Sequence, residues 1–157
     1  MMTKSNFPIV PIEDVPSIIP QNSKKHRPVV LVVDDESAIA DTLAKILTLS
    51  GYAATPVYDG EEALDAALLM PPELIITDVM LPGMSGIELA ITIRRIFPDC
   101  RVLLFSGQAA TTDLLASAER SGHEFTLLSK PVHPTDLLRH VSESLNTKQS
   151  HPGARAS

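Results

Sequence analysis

The chain has 157 residues, 44% hydrophobic and 20% charged, with one cysteine and a formal net charge of −6. That suits one packed domain with tails and excludes global disorder or an internal disulfide. From Pro28 to Asn146 there are 7 Lys/Arg against 17 Asp/Glu, and each flank is +2, an acidic balance that disfavours direct nucleic-acid binding. No uninterrupted apolar run approaches the ~20 residues of a membrane span, and prolines and acids break up the first residues, which lack the long apolar region of a signal peptide. The expectation is a cytoplasmic protein, in a reducing compartment, without membrane association.

Residues 1–27 hold Pro8, Pro11, Pro16 and Pro20 among isolated apolar residues and close on Lys24, Lys25, His26 and Arg27. Proline at that density predicts an extended or disordered arm. From Val29 onward strand and helix alternate. Val29 to Val33 is an apolar β-branched run that stops at Asp34-Asp35, and Glu36 to Leu49 carries Ile39, Leu43, Ile46 and Leu47 at helical spacing before Gly51. A weaker strand spans Ala53 to Val57. Asp59-Gly60 leads into a helix with Ala63, Leu64, Ala67 and Leu68, ended by Pro71-Pro72.

Leu74 to Thr77 is the central strand, running into Asp78 and then a loop with Pro82, Gly83 and Gly86. Ile87, Ala90, Ile93, Ile96 and Phe97 predict the next helix, closed by Pro98. Cys100 beside the fourth strand reads as a small buried or half-buried hydrophobe. The fourth strand, Arg101 to Phe105, ends at Ser106-Gly107, and a helix follows over Thr111 to Ser121. The fifth strand, Phe125 to Leu128, ends at Ser129-Lys130-Pro131. A last helix begins near Pro134 and carries Leu137, Leu138, Val141 and Leu145. Five β-α pairs imply a domain over 28–146 with a parallel sheet, right-handed crossovers and helices on both faces, followed by a disordered tail over 147–157.

Strands of a parallel sheet place chemistry at their carboxyl ends. Asp34, Asp35, Asp78, Ser106 and Lys130 all stand there. Each also has an ordinary role open to it: Asp34-Asp35 or Asp78 as helix caps, Ser106 as a turn hydroxyl, Lys130 as a surface lysine. Their joint placement favours a shared pocket. Three carboxylates repel unless neutralised, and one ammonium is too little. A hard divalent cation with oxygen ligands, most naturally Mg2+, completes the site and leaves positions for phosphoryl oxygens. Ser106 and Lys130 can hold further oxygens, and Asp78 becomes the nucleophile of an in-line phosphoryl transfer giving an acyl phosphate.

The motifs Val-Val-Asp34-Asp35-Glu36, Asp59-Gly60-Glu61-Glu62-Ala63-Leu64, Asp78-Val-Met-Leu-Pro82-Gly-Met-Ser-Gly86, Ser106-Gly107 and Lys130-Pro131 together closely resemble the receiver domain of two-component response regulators. The resemblance implies a flavodoxin-like (βα)5 fold, a doubly wound five-stranded sheet in order 2-1-3-4-5. It implies that Asp78 accepts a phosphoryl group from a sensor histidine kinase or histidine phosphotransfer protein, self-catalysed rather than as a conventional enzyme. It implies Asp35, Asp78 and the Met80 backbone carbonyl as direct Mg2+ ligands, with Asp34 acting largely through water. Ser106 and Lys130 would report phosphorylation to the face of the fourth helix, fifth strand and fifth helix, and the Lys130-Pro131 bond would be cis. Two departures stand out: Leu127 occupies the usual aromatic switch position, with Phe125 two residues back, and Met80 is apolar where many relatives are polar.

With 11 residues after Asn146, a stand-alone receiver is expected, working on a downstream protein target as a monomer or a weak phosphorylation-dependent dimer. The rival readings are a phosphorylation-independent scaffold (a pseudo-receiver) and an aspartyl-phosphate hydrolase. The intact acid triad and Lys130 weigh against the first. The second needs a substrate-enclosing cap, for which no insertion is long enough.

Overall fold

The computed structural model describes residues 26–107 and 111–147. The expected arm up to Lys25 and the tail from Lys148 lie outside the described residues. Elements alternate in chain order: β1 (Val29–Val33), α1 (Ser37–Leu49), β2 (Ala53–Val57), α2 (Gly60–Leu69), β3 (Leu74–Asp78), α3 (Gly86–Ile96), β4 (Arg101–Ser106), α4 (Thr111–Arg120), β5 (Thr126–Ser129) and α5 (Pro134–Asn146). The strands form one parallel sheet in the order β2-β1-β3-β4-β5. Fold class and strand order are therefore as expected.

Period-two alternation along the strands divides the core into two layers. Val30, Val32, Leu74, Ile76, Leu103 and Phe105 face Leu43 and Leu47 of α1 and Leu137 and Val141 of α5. Leu31, Val33, Ile75, Val102 and Leu104 face Ala63 and Ala67 of α2 and Ile87, Ala90 and Ile93 of α3. All five residues of β3 are buried, which is why that strand reads as continuously apolar rather than alternating.

Element ends differ from the sequence reading by a residue or so. Glu36 is the N-cap of α1 rather than its first helical residue. The ladder carries β3 through Asp78 and β4 through Ser106, because Asp78 pairs with Phe105 and Ser106 with Ser129. The fifth strand runs from Thr126 to Ser129, one residue later than expected, so Phe125 precedes it. Phe125 instead packs under Arg94, whose guanidinium carbon lies 4.3 Å from the ring centre. No helix among the described residues is long and apolar enough to cross a membrane.

Candidate functional site

Pairing at the strand ends fixes the site. Val33 is the last residue of β1, so Asp34 and Asp35 emerge directly from a strand flanked by β2 and β3. Asp34 is fully buried; its amide donates to the Val57 carbonyl (3.1 Å) and its Oδ1 accepts from the Glu36 amide (2.9 Å). Asp35 is exposed and Asp78 is 7% exposed. One carboxylate oxygen from each of Asp34, Asp35 and Asp78 lies within 4.8 Å of the others.

Lys130 reaches this triad from β5. Its Nζ donates to Asp78 Oδ2 at 2.8 Å and Asp34 Oδ2 at 3.0 Å, and sits 4.9 Å from the Phe105 ring centre. The Lys130 amide donates to the Ser106 carbonyl (3.1 Å), extending the β4–β5 ladder to the lysine itself. Burial pulls the ammonium's pKa down, but hydrogen bonding to Asp78 and Asp34 outweighs it, so the net direction is upward. The Lys130-Pro131 peptide is cis. Ser106, 7% exposed, ends β4 one residue beyond Phe105, which pairs with Asp78, and lies opposite Ser129 in the β4–β5 ladder.

The loop after β3 is held by backbone contacts. The Met80 amide donates to Asp78 Oδ1 (3.0 Å), so both oxygens of Asp78 are oriented. Gly83 takes a positive φ of 77°, a conformation favouring glycine. Gly86 is required for a different reason: a Cβ there would lie 1.9 Å from the Asp78 carbonyl oxygen. Its amide donates to the Val79 carbonyl at 2.8 Å, drawing α3 tight against the end of β3. Ser85 and Glu88 form a capping box that starts α3 at this point. The helix-cap role once open to Asp78 thus belongs to Ser85.

The donor set fits a hard divalent cation. Formally, three carboxylates and one ammonium leave two negative charges, all on oxygen, the ligand type that Mg2+ prefers. In an octahedral Mg2+ shell neighbouring ligands stand about 2.9 Å apart and opposite ones about 4.2 Å, so carboxylate oxygens within 4.8 Å of one another would share one ion by moving inward or through an intervening water. Of the expected site residues, Asp34, Asp35, Asp78 and Lys130 converge, Ser106 ends the neighbouring strand at the same edge, and Met80, 44% exposed, follows Asp78 in the loop. Sequence reasoning missed the Phe105 ring beneath Lys130 and the Met80 amide on Asp78. The first could have been found from strand pairing; the second depends on a loop conformation that composition does not specify.

Residues 30–142 match the response regulator receiver domain family, and the chain belongs to that family. It is 28% identical over 123 residues to the DNA-binding response regulator MtrA of Mycolicibacterium smegmatis, covering 78% of this chain and 53% of that one. The chain thus spans about half the length of the curated relatives it matches. Among solved structures it resembles a CheY-like receiver domain protein from Methanospirillum hungatei, with a TM-score of 0.69 and 28% identity, covering 76% of this chain and 94% of that one. It also resembles the chemotaxis protein CheY4 of Vibrio cholerae, at TM-score 0.69 and 26% identity, covering 76% of this chain and 100% of the other. Receiver domains of this family belong to two-component systems, and the acidic triad is typical of their Mg2+ site.

Proposed function

We propose that this chain is a phosphoacceptor that takes a phosphoryl group on Asp78 from a phosphohistidine of a sensor histidine kinase or histidine phosphotransfer protein, and passes the signal on by protein–protein contact in the cytoplasm. The observation that carries the reading is the doubly oriented Asp78 carboxylate, held by the Lys130 ammonium on one oxygen and the Met80 amide on the other.

Asp35, Asp78 and the Met80 carbonyl would hold Mg2+, with Asp34 acting largely through a bound water. When bound, the ion neutralises charge on the phosphoryl oxygens. The chain's own groups supply the rest. An Asp78 carboxylate oxygen attacks phosphorus, the P–N bond to the donor imidazole breaks, and the imidazole nitrogen keeps the electron pair and is protonated as it leaves. Lys130 is positioned to follow the charge onto the phosphoryl oxygens, and the Ser106 hydroxyl is a further donor to them. Fixing Asp78 in advance removes the reorganisation that a free carboxylate would need.

A protein donor is favoured by what adjoins the site. Ala38, Ile39, Thr42, Leu43, Phe105, Pro131 and Val132 line a largely apolar groove of about 530 Å³ that includes Lys130 in its wall. A macromolecular donor can bury that groove while presenting its phosphohistidine to Asp78; a small phosphodonor does not need it. Thr42 is exposed on α1 in this wall, so Thr42→Arg fills the groove without touching the core. Transfer from a phosphorylated histidine phosphotransfer protein should slow by about tenfold or more. Transfer from acetyl phosphate should be unchanged. Equal slowing with both donors would show that the groove is not the docking surface. Failure of both donors on the wild-type chain with Mg2+ would contradict the phosphoacceptor reading itself.

A further inference from the structure

A second charged cluster lies at the other end of the sheet. Arg101 and Thr126 are the first residues of β4 and β5, whereas Asp78 and Ser106 end their strands. The five-residue separation from Arg101 to Ser106 puts the two regions about 16 Å apart along the strand. A cleft of about 310 Å³ opens here, lined by Arg94 of α3, Arg101, Thr126, and His140, Glu143 and Ser144 of α5.

The two guanidiniums are unusual for a domain with this acidic excess. Close ion pairs among the described residues are made by His26, Lys130 and Arg139. Arg94 donates instead to the Glu124 carbonyl (3.1 Å) and stacks on Phe125. Arg101 donates to the Asp99 carbonyl (3.2 Å) and to the Thr147 carbonyl. Carbonyls hold these side chains in place without cancelling their charge. Among the described residues the buried Arg94 Nε has no hydrogen-bond partner. A guanidinium has five N–H donors in a fixed fork, so each arginine keeps donors to spare. Burial also pulls the Arg94 pKa down, the direction expected of a cation short of compensating charge. Among the described residues Glu143 is the one carboxylate in the lining, and its Oε1 is 3.6 Å from Arg139 Nη1.

We propose that this cleft binds a phosphate-type oxyanion, either free inorganic phosphate or the phosphate of a small monoester, held by Arg94 and Arg101 with the Thr126 and Ser144 hydroxyls and the His140 ring as further donors. A guanidinium fork matches two oxygens of a tetrahedral oxyanion, and hydroxyls are suitable donors to the others. The volume exceeds that of one inorganic ion and reaches the lower end of small-ligand pockets, leaving room for a substituent on the phosphate. The acidic surroundings disfavour a long polyanion but leave this local arrangement intact, because screening confines the field to about 8 Å at physiological salt.

The test is a titration of the full, Mg2+-free chain with inorganic phosphate and, separately, adenosine monophosphate, at constant ionic strength against chloride. Binding is read from amide 1H–15N shifts at Arg101, Thr126 and Ser144. Saturable shifts there, weakened about tenfold in Arg101→Gln and in His140→Ala, are expected. Tighter binding of the monophosphate identifies an ester ligand; equal binding identifies phosphate itself. Far-UV circular dichroism checks that the variants are folded, and His140→Ala carries the test if Arg101→Gln is not. Shifts confined to Lys130 and Ser106, absence of saturation with both probes, or unchanged affinity in a folded variant would each overturn the proposal.

Discussion

At the scale of single residues, the site depends on two kinds of constraint that differ in how visibly they are written in the chain. Gly86 belongs to the loop motif that the sequence displays, but its reason is spatial: no side chain fits against the Asp78 carbonyl. Gly86→Ala should therefore cost about 2 kcal/mol or more in urea unfolding. Gly107→Ala, whose Cβ would meet Lys130 Cβ at an ordinary 3.5 Å, should cost far less. Equal costs would show that the close approach is not what Gly86 serves. Asp35 is the exposed member of the triad and, among the described residues, adds charge without a hydrogen bond comparable to those on Asp34. Asp35→Asn should weaken Mg2+ binding and phosphorylation while leaving the thermal midpoint nearly unchanged. Metal affinity equal to wild type would mean that the cation sits elsewhere. Cys100 is a buried hydrophobe as its neighbours in the chain suggested, and burial pushes its thiol up to about 12. The native chain should resist thiol reagents at pH 8 that label the urea-unfolded chain at once. Because the folded state holds this proton more tightly, the associated stability is full below the free-thiol pKa of about 8.5 and is lost as pH rises towards 12. Cys100→Ala should flatten that part of the alkaline stability curve, and an unchanged slope would contradict the assignment.

At the scale of elements, periodicity carried most of the information. The fully buried β3 and the amphipathic α1, α3 and α5 were legible because their apolar spacing matches one period each. Strand ends were less so. Phe125 has the composition of a strand residue, yet its ring is held beside Arg94, with the His123 ring centre 6.1 Å away in a stacked arrangement, and the ladder starts one residue later. Side-chain contacts across α3 and β5 decide that, and no local pattern encodes them. The same geometry bears on switching. Leu127 lies opposite Leu104 in the ladder and is 41% exposed, while the nearby aromatic ring of Phe125 is already engaged. Leucine offers no ring to bury in a second state, so its energy should differ little between states. Leu127→Ala should alter partner affinity by similar factors in the phosphorylated and unphosphorylated forms. If it removes only the phosphorylation-dependent part, Leu127 is the switch. The capping box at the start of α3 makes a separate statement: Ser85→Ala should cost about 1 kcal/mol by denaturant unfolding.

At the scale of the whole molecule, five strands in one parallel sheet bring residues 96 positions apart in sequence, Asp34 and Lys130, to within 3.0 Å. That convergence was legible once the strands were placed, because parallel pairing sends every carboxyl end to the same edge. The groove beside Lys130 and the arginine cleft at the opposite edge were not, since both are spaces between elements rather than patterns within one. The central claim is that the convergent acidic edge makes Asp78 a phosphoacceptor. Its most direct measurement is incubation with a phosphorylated histidine phosphotransfer protein, and in parallel with acetyl phosphate, with and without Mg2+, followed by peptide mapping of the hydroxylamine-sensitive phosphoryl group by mass spectrometry. One phosphoryl group on the peptide containing Asp78, dependent on Mg2+ and lost in Asp78→Asn, is the expected result. Phosphoryl transfer that persists in Asp78→Asn, or maps to another residue in the wild-type chain, would contradict it.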